Sequence, residues 1–549
     1  MVSIVIEPTL FFLGGGLMLI GHVSDEYYAA LADVMIEFLN DRGESWETRS
    51  RASGSVYLDL PEDEYIVVLR APGYCGKRTR LRLNSPHQPV AWRLLSDRLS
   101  GYVWPKWLRA GDTGEFRVHS ATAYHLELWH YGWEPRLAQS LGWHDEHAPR
   151  ATVQITPDGD YTQTGVAWNK IGYHSPTHRQ SVVAPMHSGL YYFRARNLNG
   201  EAFSFPWIVA PAKPQHRLAV LASTLTWNAY NNFGGRSNYL HADGLPATPT
   251  VHARTEHQRY LHAEHQTWGG GPYPALSFDR PEPFNHIAFL ERITDPVEGR
   301  QACHLAPAEW RLLGWLERQQ IPFDYYAENQ LDDGTLDVNA YRVLIIAVHP
   351  EYWTRRMYDR VKSWVFDRGG RLLYLGGNGL NCEVELTADG TAMICHNGAL
   401  TSLWPSGMAG FDSRMAMRHE SEAALLGVVF TPAGAMTAAP YAVVDEQHWV
   451  LAGTGLRNGQ TFGHQSLHRR CPGGASGHET DKRSAHSPKH VQLIARGCNP
   501  DVGGAEMIYF DTPTGGAVFS VGSINYVLSL PVDETISRIT ANVIHRFLE

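Results

Sequence analysis

The apolar run from Val343 to Val348 constrains the fold of this chain more than any other segment. A short run with no polar residue is typical of a strand that is buried on both faces, as in a parallel sheet. The run ends before His349. Pro350 fixes its own backbone and restricts that of His349, so Glu351 follows on a stiff turn. Ligands bind beyond the carboxyl ends of parallel strands, which makes His349 and Glu351 candidate site residues.

Strand and helix patterns alternate around this run. Thr354 is a helix N-cap candidate, and the glycine pair at 369–370 marks the end of that helix. The hydrophobic periods predict a β-α-β-α-β order, which indicates a parallel three-layer α/β domain over residues 213–549. The predicted elements are a strand at 216–223, a helix at 308–319, a strand at 343–348, a helix at 354–368, a strand at 371–379, a hairpin at 507–521 and a helix at 533–548.

The first part of the chain has a different pattern. Short runs alternate with a period of two between Pro, Gly and acidic turns, which predicts two all-β sandwiches at 1–95 and 96–212. The segment LPEDEYIVVLRAPGY resembles the small transthyretin-like sandwich of carboxypeptidases, and the second block is typical of an immunoglobulin-like sandwich. Residues 26–39 are expected to form a helix or an irregular insertion. The chain is therefore predicted to be a multidomain protein of two β-sandwiches followed by an α/β domain.

Composition narrows the class of protein. A length of 549 residues suggests two to four domains, and the net charge of −9 without a basic stripe argues against a nucleic-acid partner. The six cysteines form no CxxC pair, which favours a reducing compartment over a disulfide framework. The apolar stretch at 9–21 is too short to span a bilayer and lacks a preceding basic residue. We therefore expect a cytoplasmic protein without a membrane segment.

Two more loops follow predicted strands of the α/β domain. The segment TWNAYNNFGGRS at 226–237 offers Tyr230, and the segment LGGNG at 375–379 offers Asn378. In the glutamine amidotransferase-like fold, the second loop is an elbow that carries a nucleophilic cysteine. Asparagine cannot act as that nucleophile, so thiol catalysis is not expected at this elbow.

These loops, together with SFDRP at 277–281 and HPEYW at 349–353, resemble the large subunit of N,N-dimethylformamidase over residues 214–530. The resemblance implies a glutamine amidotransferase-like domain with a mononuclear iron held by two tyrosines and one glutamate. Carried over, the metal ligands are Tyr230, Tyr273 and Glu351, and His349 and Asn378 line the pocket. The segment at 473–481 also resembles the family, and its Glu479 is the candidate catalytic carboxylate.

The chemistry of this residue set is coherent. Three anionic oxygen ligands favour a hard ion such as Fe(III), which can polarise an amide carbonyl or acidify water. Glu479 could move a proton between water and the leaving amine, and His349 and Asn378 could hydrogen-bond the developing oxyanion or orient the water. The sequence thus predicts an iron-dependent amidohydrolase for a small amide such as an N-substituted formamide.

The residues leave other interpretations open. The chain could be an amidase of the same fold with a different substrate or metal, or a non-catalytic protein that binds a glycan or a partner, because fold alone does not fix function. A homo-oligomer is expected. The resemblance also implies a separate small subunit, which this chain does not contain.

Overall fold

The structure is a computed structural model. It describes residues 18–25, 29–94, 96–144, 180–231, 233, 237–238, 249, 275–297, 304–395 and 414–549. The chain is rich in sheets and has few helices. Its contacts separate it into two compact units, one formed by residues up to Ser96 and the other by residues from Asp97 onward. Tyr273, the proposed third metal ligand, lies outside the described residues.

The first unit contains a three-stranded and a four-stranded sheet. Residues 26–39 were expected to form a helix or an irregular insertion. The described residues 29–39 contain no helix, and a strand begins at Met35. Its side chains alternate between buried and half-buried positions, with Ile36 and Phe38 in the core. This period of two favours a strand. The strands are Met18–Asp25, Met35–Asn40, Ser45–Arg49, Ser55–Leu58, Asp63–Arg70, Lys77–Leu83 and Val90–Leu94.

The second unit begins with β-structure. A three-stranded and a five-stranded sheet enclose a core that includes Phe116, Phe193 and Trp207. Their strands are Ser100–Trp104, Trp107–Arg109, Thr113–His119, Tyr124–Tyr131, Pro135–His144, Ser181–Val183, Gly189–Asn197 and Ala202–Ala210. Residues of this block also pack against later parts of the same unit. Lys106, for example, donates to Oε1 of Glu282 across 2.6 Å, and both side chains are buried.

A nine-stranded mixed sheet forms the centre of the second unit. Its first five strands are mutually parallel and the remaining four are antiparallel. The strand Val343–Val348 lies inside the parallel part with every side chain buried, as predicted. The order across the sheet is Asp324–Ala327, Leu218–Ala222, Val343–Val348, Arg371–Gly376, Ala517–Ser520, Glu506–Asp511, Gln492–Gly497, Tyr441–Val443 and Thr461–Phe462.

Smaller sheets accompany the central one. Tyr352–Trp353 belongs to a four-stranded sheet, so the backbone beside Glu351 is held by strand pairing. The other three strands of that sheet are Leu276–Ser277, Cys382–Leu386 and Ala392–Cys395, and two further pairs join Val429–Thr431 to Thr480–Lys482 and Ala438–Ala439 to Ser476–Gly477.

Two of the predicted helices have the expected ends. Thr354 accepts a hydrogen bond from the Met357 amide at the start of Arg355–Arg368, and Gly369 ends that helix at φ 74°. The C-terminal helix starts after Asp533, which caps it. The described α-helices are Thr224–Tyr230, Ala306–Arg318, Glu328–Asp333, Arg355–Arg368, Met415–Arg418, Ala423–Leu426 and Glu534–Leu548, and the 3₁₀ turns are Pro283–Asn285, Val338–Ala340, Trp449–Leu451 and Ile524–Ser529.

The helix Thr224–Tyr230 was not predicted, since residues from Thr226 onward were expected to form a loop. All its side chains are buried, so tertiary packing supplies the stability that such a short helix lacks by itself. None of the helices in the described ranges is long and apolar enough to cross a membrane.

Candidate functional site

The carboxyl end of the strand Val343–Val348 carries the first group of site residues. Val348 has φ 62°, a left-handed conformation that is an outlier for a β-branched residue. Such strain costs free energy and persists where the surrounding structure enforces it, often at functional sites. The turn places His349 in the interior with 1% of its surface exposed.

Glu351 and Tyr230 come together at this strand end. The Tyr230 hydroxyl donates to Oε2 of Glu351 across 2.8 Å, and both side chains are buried. The helix Thr224–Tyr230 is tied to the turn at a second point, because the hydroxyl oxygen of Thr226 accepts from the Glu351 amide at 3.0 Å. The two side chains therefore belong to segments that are held together by both backbone and side-chain bonds.

The next strand of the sheet ends at the glycine-rich elbow, where Asn378 has φ 50°. Its amide donates to Oδ1 of Asp481 at 2.8 Å, and the Tyr374 hydroxyl donates to Oδ2 of the same carboxyl at 2.7 Å. Burial raises the pKa of Asp481 to about 7, and these two hydrogen bonds oppose the rise. Asp481 thus holds the elbow in its left-handed conformation.

Glu479 connects the two strand ends. Its Oε2 accepts from the Asn378 carboxamide at 2.9 Å and lies 3.2 Å from Nε2 of His349. The same Nε2 is 3.4 Å from Oε2 of Glu351, so the imidazole lies between two carboxylates. The Glu479 side chain is 16% exposed, the most accessible member of this group. A proton acceptor that water or substrate can reach suits acid–base chemistry.

The structure brings five of the six predicted site residues into one cluster, which we call the carboxylate cluster. Its members come from four segments of the chain that are far apart in sequence, and their roles stay predictions. The cluster consists of Tyr230, His349, Glu351, Asn378 and Glu479.

Three buried histidines beside the carboxylate cluster were not predicted from the sequence. The His304 ring packs edge-on against Tyr230, with centroids 4.6 Å apart, and lies 5.1 Å from the ring of His349. His478 packs against His304, and its Nδ1 is 3.0 Å from Nε2 of His468. His478 could have been noticed as the neighbour of Glu479, but no spacing pattern in the sequence points to His304.

The histidine pair has a defined protonation. Nδ1 of His468 accepts from the Cys471 amide at 2.9 Å, so in the neutral ring the proton is on Nε2, which donates to His478. Burial, reinforced by the charge of Arg470, lowers the pKa of His468 to about 3, so this ring is neutral near pH 7. His478 adopts φ 65°, a further left-handed residue next to Glu479.

The donor geometry is compatible with a hard metal ion. Two oxygens that bind one ion at about 2.0–2.1 Å and at a right angle lie about 2.9 Å apart. The Tyr230 hydroxyl and Oε2 of Glu351 are 2.8 Å apart, so both could bind the same ion without moving. Phenolate and carboxylate oxygens are ligands that a hard ion prefers. The described part of the chain therefore supplies two suitable donors.

A buried group of carboxylates, imidazole, carboxamide and phenol at the strand ends of a mixed sheet is characteristic of an enzyme-like polar site. The family described as "N,N-dimethylformamidase beta subunit-like, C-terminal" matches residues 125–539. This match covers most of the chain and includes the whole carboxylate cluster. The chain belongs to the N,N-dimethylformamidase beta subunit-like family.

Two curated relatives agree with this assignment. The chain is 24% identical over 428 residues to an N,N-dimethylformamidase beta subunit of Paracoccus aminophilus, covering 66% of this chain and 52% of the relative. It is also 24% identical over 303 residues to an N,N-dimethylformamidase beta subunit of an Alcaligenes species, covering 44% of this chain and 37% of that one. The chain thus spans about half of the first relative and less of the second.

Solved structures add little. A DUF3823 family protein from Bacteroides ovatus ATCC 8483 aligns with 34% of this chain and 96% of its own, at 10% identity and a TM-score of 0.13. A streptococcal ancillary pilin aligns with 35% of this chain and 61% of its own, also at 10% identity and a TM-score of 0.13. Overlaps of this size assign no fold to the chain.

Proposed function

We propose that this protein is an iron-dependent amidohydrolase that cleaves the C–N bond of a small amide, such as an N-substituted formamide. Membership of the family and the names of its relatives support hydrolysis of an amide. The observation that carries the proposal is the contact of Glu479 with Asn378 and His349 on one side of the cluster, while Tyr230 and Glu351 meet on the other.

Glu479 is the proposed acid–base group. Hydrolysis requires a proton to leave the attacking water and a proton to reach the departing amine nitrogen. The partly exposed carboxylate of Glu479 can accept the first and deliver the second, and the Asn378 carboxamide orients it through Oε2. We expect the Oε1 edge of Glu479 to face the reacting water.

His349 and Asn378 are the proposed polar contacts of the reacting carbonyl. Their Nε2 and Nδ2 atoms lie 3.5 Å apart, close enough for both to reach one oxygen atom. Donors that are fixed before the reaction stabilise a developing oxyanion at little cost in reorganisation. Both side chains are at least nine-tenths buried, which strengthens such hydrogen bonds through the low local dielectric.

Tyr230, Glu351 and Tyr273 are the proposed ligands of a mononuclear Fe(III). When bound, the iron supplies Lewis acidity to the amide carbonyl or to water. Tyr230 and Glu351 hold the oxygen pair in place before the ion arrives, and their backbones are joined through Thr226. The glutamine amidotransferase-like architecture of residues 213–549 is part of the same proposal.

The family suggests the assembly, and the cysteine pattern and the apolar stretch at 9–21 suggest the location. The relatives are named beta subunits, which supports a multisubunit enzyme. We propose a cytoplasmic homo-oligomer that associates with a separate small subunit.

The decisive experiment combines metal analysis with an amine-release assay. The purified protein should contain about one iron per chain, show the visible absorption of iron bound to tyrosinate, and release amine from one or more members of a panel of small primary, secondary and tertiary amides. Glu479→Gln should lower kcat for amine release by about 10²–10⁴-fold while the iron stays bound. A colourless protein that takes up no iron and cleaves none of the amides would contradict the proposal.

A further inference from the structure

Behind the carboxylate cluster lies a buried carboxylate to which the proposed mechanism gives no role. Glu328 begins the helix Glu328–Asp333 and has no exposed surface. Buried carboxylates are costly unless hydrogen bonds compensate for the lost hydration. Each of the two carboxylate oxygens of Glu328 accepts a hydrogen bond, and the two donors belong to different segments.

One oxygen of Glu328 binds the segment that carries Tyr230. Its Oε2 accepts from the Leu225 amide at 2.9 Å, in the first turn of the helix Thr224–Tyr230. The Glu328 amide also donates to the Thr224 hydroxyl at 3.2 Å, so the two helix starts are joined twice. Tyr230 is the last residue of that seven-residue helix, and its position depends on how the helix start is held.

The other oxygen of Glu328 binds the segment that carries Glu351. Its Oε1 accepts from the indole Nε1 of Trp353 at 2.7 Å. Trp353 is fully buried and lies two residues beyond Glu351, in the short strand Tyr352–Trp353. A single side chain therefore spans the two segments that meet where Tyr230 contacts Glu351.

We propose that Glu328 is a positioning residue that fixes the spacing of the oxygens of Tyr230 and Glu351 by clamping their two segments together. This inference rests on the proposed function, in which those oxygens bind iron. A carboxylate suits the task because both of its oxygens accept hydrogen bonds, whereas a carboxamide has one acceptor and one donor. Outer partners of metal ligands orient the ligands, and their replacement typically weakens metal affinity about 10- to 100-fold.

Glu309 provides a matched control. It is also buried, and its carboxylate also receives hydrogen bonds near the same helix, from the Ser223 amide at 3.1 Å and the Trp227 indole at 2.9 Å. Its third partner is the Tyr325 hydroxyl at 3.0 Å. None of these partners lies in the segment of Glu351, so Glu309 does not connect the two segments.

The test compares wild type, Glu328→Gln and Glu309→Gln as full-length proteins. Iron affinity is measured by titration with Fe(III) citrate, the tyrosinate absorption band is recorded at saturation, and thermal unfolding reports stability. We expect Glu328→Gln to bind iron about tenfold more weakly, with a shifted band, and Glu309→Gln to keep wild-type affinity and band. Equal affinities for wild type and Glu328→Gln would overturn the proposal, as would equal losses in both variants.

Two further outcomes are informative. If Glu328→Gln does not fold, Trp353→Phe removes only the indole donor, and it should weaken iron binding in the same direction. Unchanged affinity in Trp353→Phe would then overturn the clamp. If the wild type itself binds no iron, the proposed function fails and the clamp with it, whereas iron binding in wild type with no effect of Glu328→Gln contradicts the clamp alone.

Discussion

The Tyr230 hydroxyl donates to Oε2 of Glu351 across 2.8 Å, although 120 residues separate the two in the chain. This bond joins two buried side chains. Tyr230 and Glu351 would be two of the ligands of the proposed iron, and the phenol proton would be released to solvent when the ion binds. The 2.8 Å separation matches the one that the proposed iron site requires.

Tyr230→Phe tests this relationship. The variant removes one oxygen donor but keeps the ring that packs against His304. We expect iron affinity to fall about tenfold or more and the visible absorption to be lost, as measured by metal analysis and spectroscopy. Tyr352→Phe is the control, because Tyr352 is not a proposed ligand. Its hydroxyl accepts a hydrogen bond from the Asn238 carboxamide at 2.8 Å. Unchanged colour and iron content in Tyr230→Phe would remove Tyr230 from the ligand set.

Glu479→Gln separates catalysis from metal binding. The variant keeps the shape of the side chain and loses its capacity to accept a proton, so kcat should fall by about 10²–10⁴-fold while iron content stays at the wild-type level. Glu351→Gln should show the opposite pattern, in which iron is lost because a proposed ligand is removed. Steady-state kinetics and metal analysis on the same preparations distinguish the two. Loss of iron in Glu479→Gln would instead make Glu479 a ligand.

Local patterns predicted much of the site. The apolar run before His349, the capping threonine at 354 and Gly369 are features of neighbouring residues, and the structure confirms the strand and helix that they predict. The family resemblance, rather than periodicity, gave Tyr230 its predicted ligand role and brought Glu479 to attention. Periodicity therefore located one strand end but could not show which distant segments meet there.

The helix Thr224–Tyr230 shows why local patterns fail elsewhere. The Leu225 amide in its first turn donates to Glu328, about a hundred residues later in the chain, and the Ser223 amide likewise donates to Glu309. Propensity within seven residues contains no information about such distant caps. His304 was missed for the same reason, because its contacts with Tyr230 and His349 exist only in the folded chain.

Gly377→Ala tests the elbow. A Cβ atom at this position would lie 2.5 Å from the Glu479 carbonyl oxygen and 2.8 Å from the Ile524 amide nitrogen, both of them backbone atoms. The backbone must shift to admit it, which should cost about 1–3 kcal/mol and displace Glu479 from Asn378. We expect lower kcat together with a lower melting temperature.

Gly76→Ala is the matched control for the elbow. A Cβ atom there would meet nothing closer than the Leu69 carbonyl oxygen at 3.7 Å, which is an ordinary contact. Its kinetics and melting temperature should match those of wild type. Wild-type kcat in Gly377→Ala would show that the close approach of the elbow to residue 479 does not matter for catalysis.

Glu422 should make the stability of the protein depend on pH. Burial, reinforced by the charge of Asp481, raises the pKa of Glu422 to about 8, and its Oε2 has no hydrogen-bond partner among the described residues. The folded state therefore holds this proton more tightly than the unfolded state, where the pKa is near 4.5. The resulting stabilisation is complete below the unfolded pKa and is lost as the pH rises through about 8.

Glu422→Gln removes this titration. The free energy of unfolding is measured by urea denaturation at each pH. From about pH 5 to about pH 8, the decrease in wild type should exceed the decrease in Glu422→Gln by about 2–4 kcal/mol. The neighbouring variant Glu420→Gln is the control, because the Glu420 side chain is 41% exposed and paired with Lys362. Parallel pH profiles for Glu422→Gln and wild type would show that the Glu422 carboxyl keeps an ordinary pKa in the folded protein.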